Sequence, residues 1–250
     1  MKRSPGSTPA CSDMYPVIKR LFDILFAAAA MAVLSPLLAA VAIAVRVTSP
    51  GPVIFRQERA GRGGKPFILL KFRTMRPDAD PFGPSPKSGE DPRLTRVGRF
   101  LRESSLDELP QLVNILAGDM SFIGPRPLYV SQIAEWDERQ RTRLLVKPGL
   151  TGLAQVSGRG QLTVEEKLEF DARYVERAGL LLDCRILLAT LVRVFAHRGI
   201  YEMRYSRAED TRVQSGSGQK ENMDDRRCSY DHPHNPTQTH HEGGRDRMAP

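Results

Sequence analysis

Two adjacent acids and a set of arginines define the chemistry this chain could carry. Asp107 and Glu108 stand together in SLDELPQLVNIL, residues 105–116. Acids are common in the first turn of a helix, where the dipole favours them. Ser105 and Glu108 there have the spacing of an S-x-x-E capping box. The surroundings give the pair a second reading. Basic residues crowd the same stretch, and Gly124-Pro125-Arg126-Pro127 follows closely. Proline on both sides restricts the backbone around Arg126, so its guanidinium is held in place, and a held bidentate guanidinium suits phosphate. Further on, turn residues surround Lys147 and Arg159 in KPGLTG and SGRG.

Other chemistries are poorly supplied. Cys11, Cys184 and Cys228 lie far apart with no CxxC spacing, which argues against a zinc site or disulfide and for a reducing compartment. Four of the five histidines (His232, His234, His240 and His241) sit near the C-terminus, which leaves only His197 in the body. A serine or cysteine nucleophile activated by histidine is therefore not expected.

The 250 residues carry a formal charge of +8, and 40% are hydrophobic. Residues 206–250 hold 7 Lys/Arg and 8 Asp/Glu, so residues 1–205 carry a net +9. A basic body of this kind can meet nucleic acid, an anionic membrane or a phosphorylated substrate. The Pro-, Gly- and polar-rich 205–250 segment offers little to bury and reads as a disordered tail, and residues 1–16 read as a flexible start.

The elements that must position the acids begin with an apolar run. Residues 24–45 contain no charge, and at about 1.5 Å per residue they span roughly 33 Å, enough for a bilayer. Ser35-Pro36 falls in its middle, where a kink is expected. Basic residues flank both sides: Lys19 and Arg20 before, and Arg46, Arg56, Arg59 and Arg62 after. The positive-inside rule asks for one basic side. Two arrangements remain: a kinked spanning helix, or a helix that bends at Ser35-Pro36 and returns to the face it entered from.

Residues 53–57 and 67–72 read as strands, and the glycine-rich loop 60–64 between them makes a hairpin. Residues 77–92 are a Pro- and Asp-rich loop. Helices are expected over 94–102, 105–116 and 163–177, the last as a solvated face, and a short strand over 153–156. Residues 180–201 alternate apolar stretches with Arg185, Arg193 and Arg198. They read either as an interfacial amphipathic helix or as a core helix.

Several segments, in order, resemble the bacterial sugar transferase family, the small monotopic polyprenyl-phosphate phosphoglycosyl transferases. They are KRLFDILFA (19–27), the Ser35-Pro36 break, PVIFRQERAG (52–61), KFRTM (71–75), the long stretch 94–127, PGLTGLAQVSGR (148–159) and EKLEFDARYVE (166–176). Leu153 stands where the family often has Trp.

The resemblance implies an α+β, mostly helical fold. A re-entrant membrane helix (17–47) broken at Ser35-Pro36 would carry a small cytoplasmic catalytic domain (48–204) with a short β-hairpin and amphipathic interfacial helices. It also implies transfer of a sugar 1-phosphate from a UDP-sugar to a polyprenyl (undecaprenyl) phosphate with release of UMP. Asp107 matches the family's nucleophile, and Glu108 is the second member of the dyad. Mg²⁺ would be held at Asp107 and Glu108. Arg102, Arg126 and Arg159 match phosphate- or nucleotide-binding arginines, and Lys71, Arg73 and Gln155 are further pocket residues. The expected setting is the bacterial inner membrane, facing the cytoplasm, at the opening step of surface-glycan synthesis, with downstream glycosyltransferases as possible partners. Two rivals are a family member without activity that serves as a membrane-anchored binding protein, and a nucleic-acid binder using the basic body. The intact Asp107-Glu108 pair opposes the first. The uncharged run and the lack of any nucleic-acid motif oppose the second.

Overall fold

The computed structural model describes residues 14–80, 83, 86 and 88–196, except for the side chains of residues 159 and 194–196. Cys11, Cys228, the histidines and the expected tail lie outside the described residues.

Helix α1 (Met14–Thr48) contains the whole apolar run, with Pro36 inside it. It is the one described helix long and apolar enough to cross a membrane. The helix is not interrupted at Ser35-Pro36. Pro36 has no N–H to offer the Ala32 carbonyl four residues back, and the Ser35 hydroxyl donates to that carbonyl at 2.8 Å instead. A neighbouring hydroxyl that satisfies the freed acceptor allows proline inside such a helix.

A small α+β body lies along α1. Strands β1 (Ile54–Ala60) and β2 (Pro66–Phe72) pair antiparallel, as the sequence predicts. Gly63 and Gly64 turn between them at φ 68° and 74°, where a side chain would be strained. Helix α2 (Arg96–Glu103) is capped by Thr95, whose hydroxyl accepts from the Gly98 N–H at 2.8 Å. Helix α3 (Gln111–Ala117) leads to β3 (Ser121–Ile123), which pairs in parallel with β4 (Gly149–Thr151). Helices α4 (Glu138–Arg141), α5 (Leu153–Ser157), α6 (Val164–Glu176) and α7 (Leu180–Ala196) complete the chain.

Four expectations are corrected. Residues 105–116 do not form one helix. They divide into a 3-10 turn (Leu106–Glu108) and α3, because Pro110 has no N–H to bond back into the preceding turn and stands at the start of α3. Ser105 takes a left-handed conformation (φ 59°, ψ 16°) and its side chain makes no cap, so there is no capping box. Residues 153–156 are helical: the strand ends at Thr151, and extended Gly152 (φ −173°) redirects the chain into α5. Helix α6 is no solvated face throughout, since Leu168, Asp171, Ala172 and Tyr174 are buried.

Both halves of α1 pack on this body. Ala27 joins Leu69, Leu112, Ile115 and Met120, while Val41 and Val45 join Phe72 and Leu101. Between residues 27 and 41 no α1 residue is buried. Polar side chains anchor the first half. Asp23 accepts from Ser121 Oγ and the Phe122 N–H, each at 3.0 Å. Arg20 donates to the last carbonyls of α3, Ile115 (2.6 Å) and Leu116 (2.9 Å). Lys19 reaches Asp183 at 2.5 Å and the Tyr174 hydroxyl at 3.1 Å. Lys19 and Arg20, counted above as a basic membrane flank, are thus internal anchors.

Helix α7 faces the body through Asp183 and Ile186, which joins Ile123 and Tyr174. Leu181, Leu188, Leu191 and Val192 are exposed on its other side.

Candidate active site

The acid pair sits on the 3-10 turn between α2 and α3. The left-handed Ser105 reverses the chain at the end of α2 and brings the turn back over β2. Asp107 is buried, 8% exposed. Glu108 accepts from Arg126 Nη2 at 2.7 Å, and Lys71 Nζ, reaching in from β2, lies 3.5 Å from the same oxygen. Arg126 comes from the rigid loop directly after β3. Residues from three separate segments, the 3-10 turn, β2 and the loop after β3, therefore meet at the carboxylate pair.

Burial pushes the Asp107 carboxyl up to about 6, and the neighbouring Glu108 charge adds to this. Lys71, Arg102 and Arg126 pull the other way. The Lys71 ammonium is lowered by its own burial, partly offset by Glu108. Three cations facing two carboxylates leave a net positive pocket, suited to a diphosphate. The donor set fits Mg²⁺ only in its usual enzyme mode, with one or two carboxylates shared with substrate phosphates. Among the described residues no three His, Cys, Asp or Glu converge to form an all-protein cage.

Of the residues expected here, Asp107, Glu108, Lys71, Arg102 and Arg126 come together. Arg73 goes elsewhere. Its guanidinium donates to the Ser49 (2.8 Å) and Pro50 (2.7 Å) carbonyls, which makes it a clamp on the exit of α1. The Gln155 amide is buried near Gly152, and neither of its polar atoms has a hydrogen-bond partner. Arg159 opens a 3-10 turn (Arg159–Gln161), and its side chain lies outside those described.

The sequence reading missed Arg59, which it treated as a membrane flank. Its charge acts on Lys71. Its guanidinium stacks on Tyr129, 3.7 Å from the ring centroid, and donates to Gln57 Oε1 at 2.5 Å. The available signal was Gln57 and Arg59 at alternate positions of one strand, which places both on one face.

A carboxylate pair, Asp107 buried and Glu108 half-buried, is thus gripped by cations on a body that also carries a long apolar helix. The family model for bacterial sugar transferases matches residues 14–197. The sugar transferase EpsL of Bacillus subtilis, itself uncharacterised, is 41% identical over 193 residues, covering 77% of this chain and 95% of the relative. The exopolysaccharide production protein ExoY of Sinorhizobium fredii is 38% identical over 212 residues, 79% and 94% of the two chains. The UDP-glucose:undecaprenyl-phosphate glucose-1-phosphate transferase of Escherichia coli is 41% identical over 193 residues, 74% of this chain but 42% of its own length. The chain belongs to the bacterial sugar transferase family.

Proposed function

We propose that the protein transfers a sugar 1-phosphate from a UDP-sugar to a polyprenyl (undecaprenyl) phosphate and releases UMP. The observation that carries this reading is the buried Asp107 carboxylate, raised to about 6 yet ionised at neutral pH, with Glu108, Lys71, Arg102 and Arg126 around it. The name of the Escherichia coli relative supplies the substrate classes, and that of the Sinorhizobium fredii relative supplies the setting of exopolysaccharide production.

In this reading an Asp107 oxygen attacks the β-phosphorus of the UDP-sugar. The new O–P bond forms as the bond to the bridging oxygen breaks, and UMP leaves with that oxygen. An oxygen of the polyprenyl phosphate then attacks the phosphosugar phosphorus and returns the Asp107 carboxylate. The covalent route divides one difficult displacement into two. A raised pKa makes Asp107 more basic than a surface carboxylate without leaving it protonated at pH 7. Arg126, Lys71 and Arg102 hold the diphosphate. Glu108 fixes Arg126 and Lys71 in place. Mg²⁺ held by Asp107 or Glu108 together with the diphosphate would neutralise charge on the departing UMP.

The second part of the proposal is that α1, helical through Ser35-Pro36, is re-entrant, bending there without a break so that both ends lie on the cytoplasmic face of the inner membrane. The packing supports it. Lys19 and Val45 touch the same body, although 26 residues of helix span about 39 Å. That exceeds the roughly 30 Å hydrocarbon core, so a straight span with its body on one side could not make both contacts. The exposed apolar row of α7 supports an interfacial position for that helix.

A UMP-release assay with a panel of UDP-sugars and undecaprenyl phosphate tests the reaction, and release dependent on the lipid is expected for at least one sugar. No release from any sugar, by membrane-embedded protein, would sink the reading. For topology, single cysteines at positions 17 and 47 are expected to react only with reagent on the cytoplasmic side. Labelling of either from the opposite side would exclude the re-entrant arrangement.

A further inference from the structure

Arg126 can grip a phosphate only if its loop is held, and the structure shows what holds it. Behind the loop lies a buried ion pair. Arg143, in the 3-10 turn Thr142–Leu145, meets Asp171 of α6 at 2.9 Å, and the two side chains are 4% and 3% exposed. The same Arg143 Nη2 donates to the backbone carbonyl of Arg126. The guanidinium also lies over Trp136, 4.9 Å from its ring centroid.

The pair is an expensive way to fill a core. Arg143 Nε and Asp171 Oδ1 are buried without hydrogen-bond partners. Burial pushes Asp171 up to about 6 despite the arginine beside it. Buried ion pairs of this kind often add no stability over apolar replacements, and fixing one geometry is a role they can serve. Here the geometry fixed is the carbonyl of the phosphate-gripping residue. Neighbouring backbone bonds extend the hold: the Ala60 N–H donates to Leu128 O and the Gly149 N–H to Pro125 O, each at 2.9 Å.

We infer that Arg143 and Asp171 are positioning residues that set Arg126 on the diphosphate, acting through its backbone without touching substrate. The inference rests on the proposed transferase reaction for its kinetic consequence, but not for its structural one.

Two measurements on full-length protein in nanodiscs test it. The first is a double-mutant cycle in the UMP-release assay with Asp171→Asn and Arg126→Ala. Asp171→Asn is expected to lower kcat/KM about 30-fold and Arg126→Ala about 100-fold, with the double variant no worse than Arg126→Ala alone. Multiplication of the two losses would show that Asp171 does not act through Arg126, and would overturn the inference. The second is hydrogen exchange in Asp171→Asn without substrate. The Ala60 and Gly149 amides are expected to exchange at least about tenfold faster, while those of α1 and α3 keep the parent rate. Unchanged exchange at Ala60 and Gly149, or equal acceleration everywhere, overturns the inference. If the parent releases no UMP, the transferase reading falls and the exchange result still decides the positioning role.

Discussion

Replacing Asp107 with asparagine should abolish turnover and stabilise the protein. The two effects share one cause. Asp107 is buried among Glu108, Lys71, Arg102 and Arg126, and its carboxyl is raised from 3.8 to about 6. In the unfolded chain the same group has its ordinary value. Between about pH 4 and pH 6 the folded protein therefore binds more protons than the unfolded one, and stability falls as pH rises through that window. Above pH 6 the full cost of burying the ionised group is present. About two units correspond to about 3 kcal/mol. Asparagine carries no charge, so Asp107→Asn should gain up to about 3 kcal/mol at pH 7.5 and little near pH 4. Denaturant unfolding in detergent at the two pH values, with chelator present, measures this. Turnover should fall by about three decades or more, the scale expected when a covalent nucleophile is removed. In the parent, kcat/KM should rise with pH as Asp107 ionises near pH 6. An Asp107→Asn variant that turns over at the parent rate, or that is less stable than the parent at pH 7.5, would contradict the assignment.

The second large effect lies far from the acids, where α1 is anchored. Asp183 accepts from Lys19 (2.5 Å), Tyr15 (2.9 Å) and Tyr174 (2.8 Å). The Lys19 side chain is 19% exposed and that of Asp183 9%, so water cannot replace a lost partner well. Asp183→Ala would leave one ammonium and two phenol hydroxyls without their shared acceptor. Breaking a buried pair from one side typically costs about 3–5 kcal/mol, and a loss of that size is expected in denaturant unfolding. Changing both partners, as in Lys19→Met with Asp183→Leu, should recover much of it, because no charge is then stranded. A loss under about 1 kcal/mol for Asp183→Ala would show that the first half of α1 is held by its apolar contacts alone.

Asp183 also shows why the sequence reading went only so far. Asp183 lies 164 residues from Lys19, and nothing local marks either as a partner. Taken alone, Lys19 and Arg20 looked like a membrane flank. Only the fold turns them inward, toward Asp183 and the open carbonyls at the end of α3. Arg73 misled in the same way. KFRTM gives it the same standing as Lys71, but the strand ends at Phe72 and the next side chain reaches Ser49 and Pro50. Ser105 and Glu108 match a capping box in letters. Pro110 and the left-handed Ser105 cancel it, and Glu108 spends its charge on Arg126 and Lys71.

What the sequence determined by itself is what local chemistry carries. The uncharged run made α1, two short apolar runs around a Gly-rich loop made the hairpin, and the prolines beside Arg126 stiffened its loop. Motif order was enough to identify the family and to mark Asp107, Glu108 and Arg126. Tertiary structure alone decided which cations reach the acids, that Arg59 acts on Lys71, that Arg143 and Asp171 stand behind Arg126, and that Asp107 is raised to about 6. The physical reason is that a side chain's charge state and partners depend on the dielectric and the neighbours the fold delivers. Those neighbours come from strands, turns and helices far away in the chain.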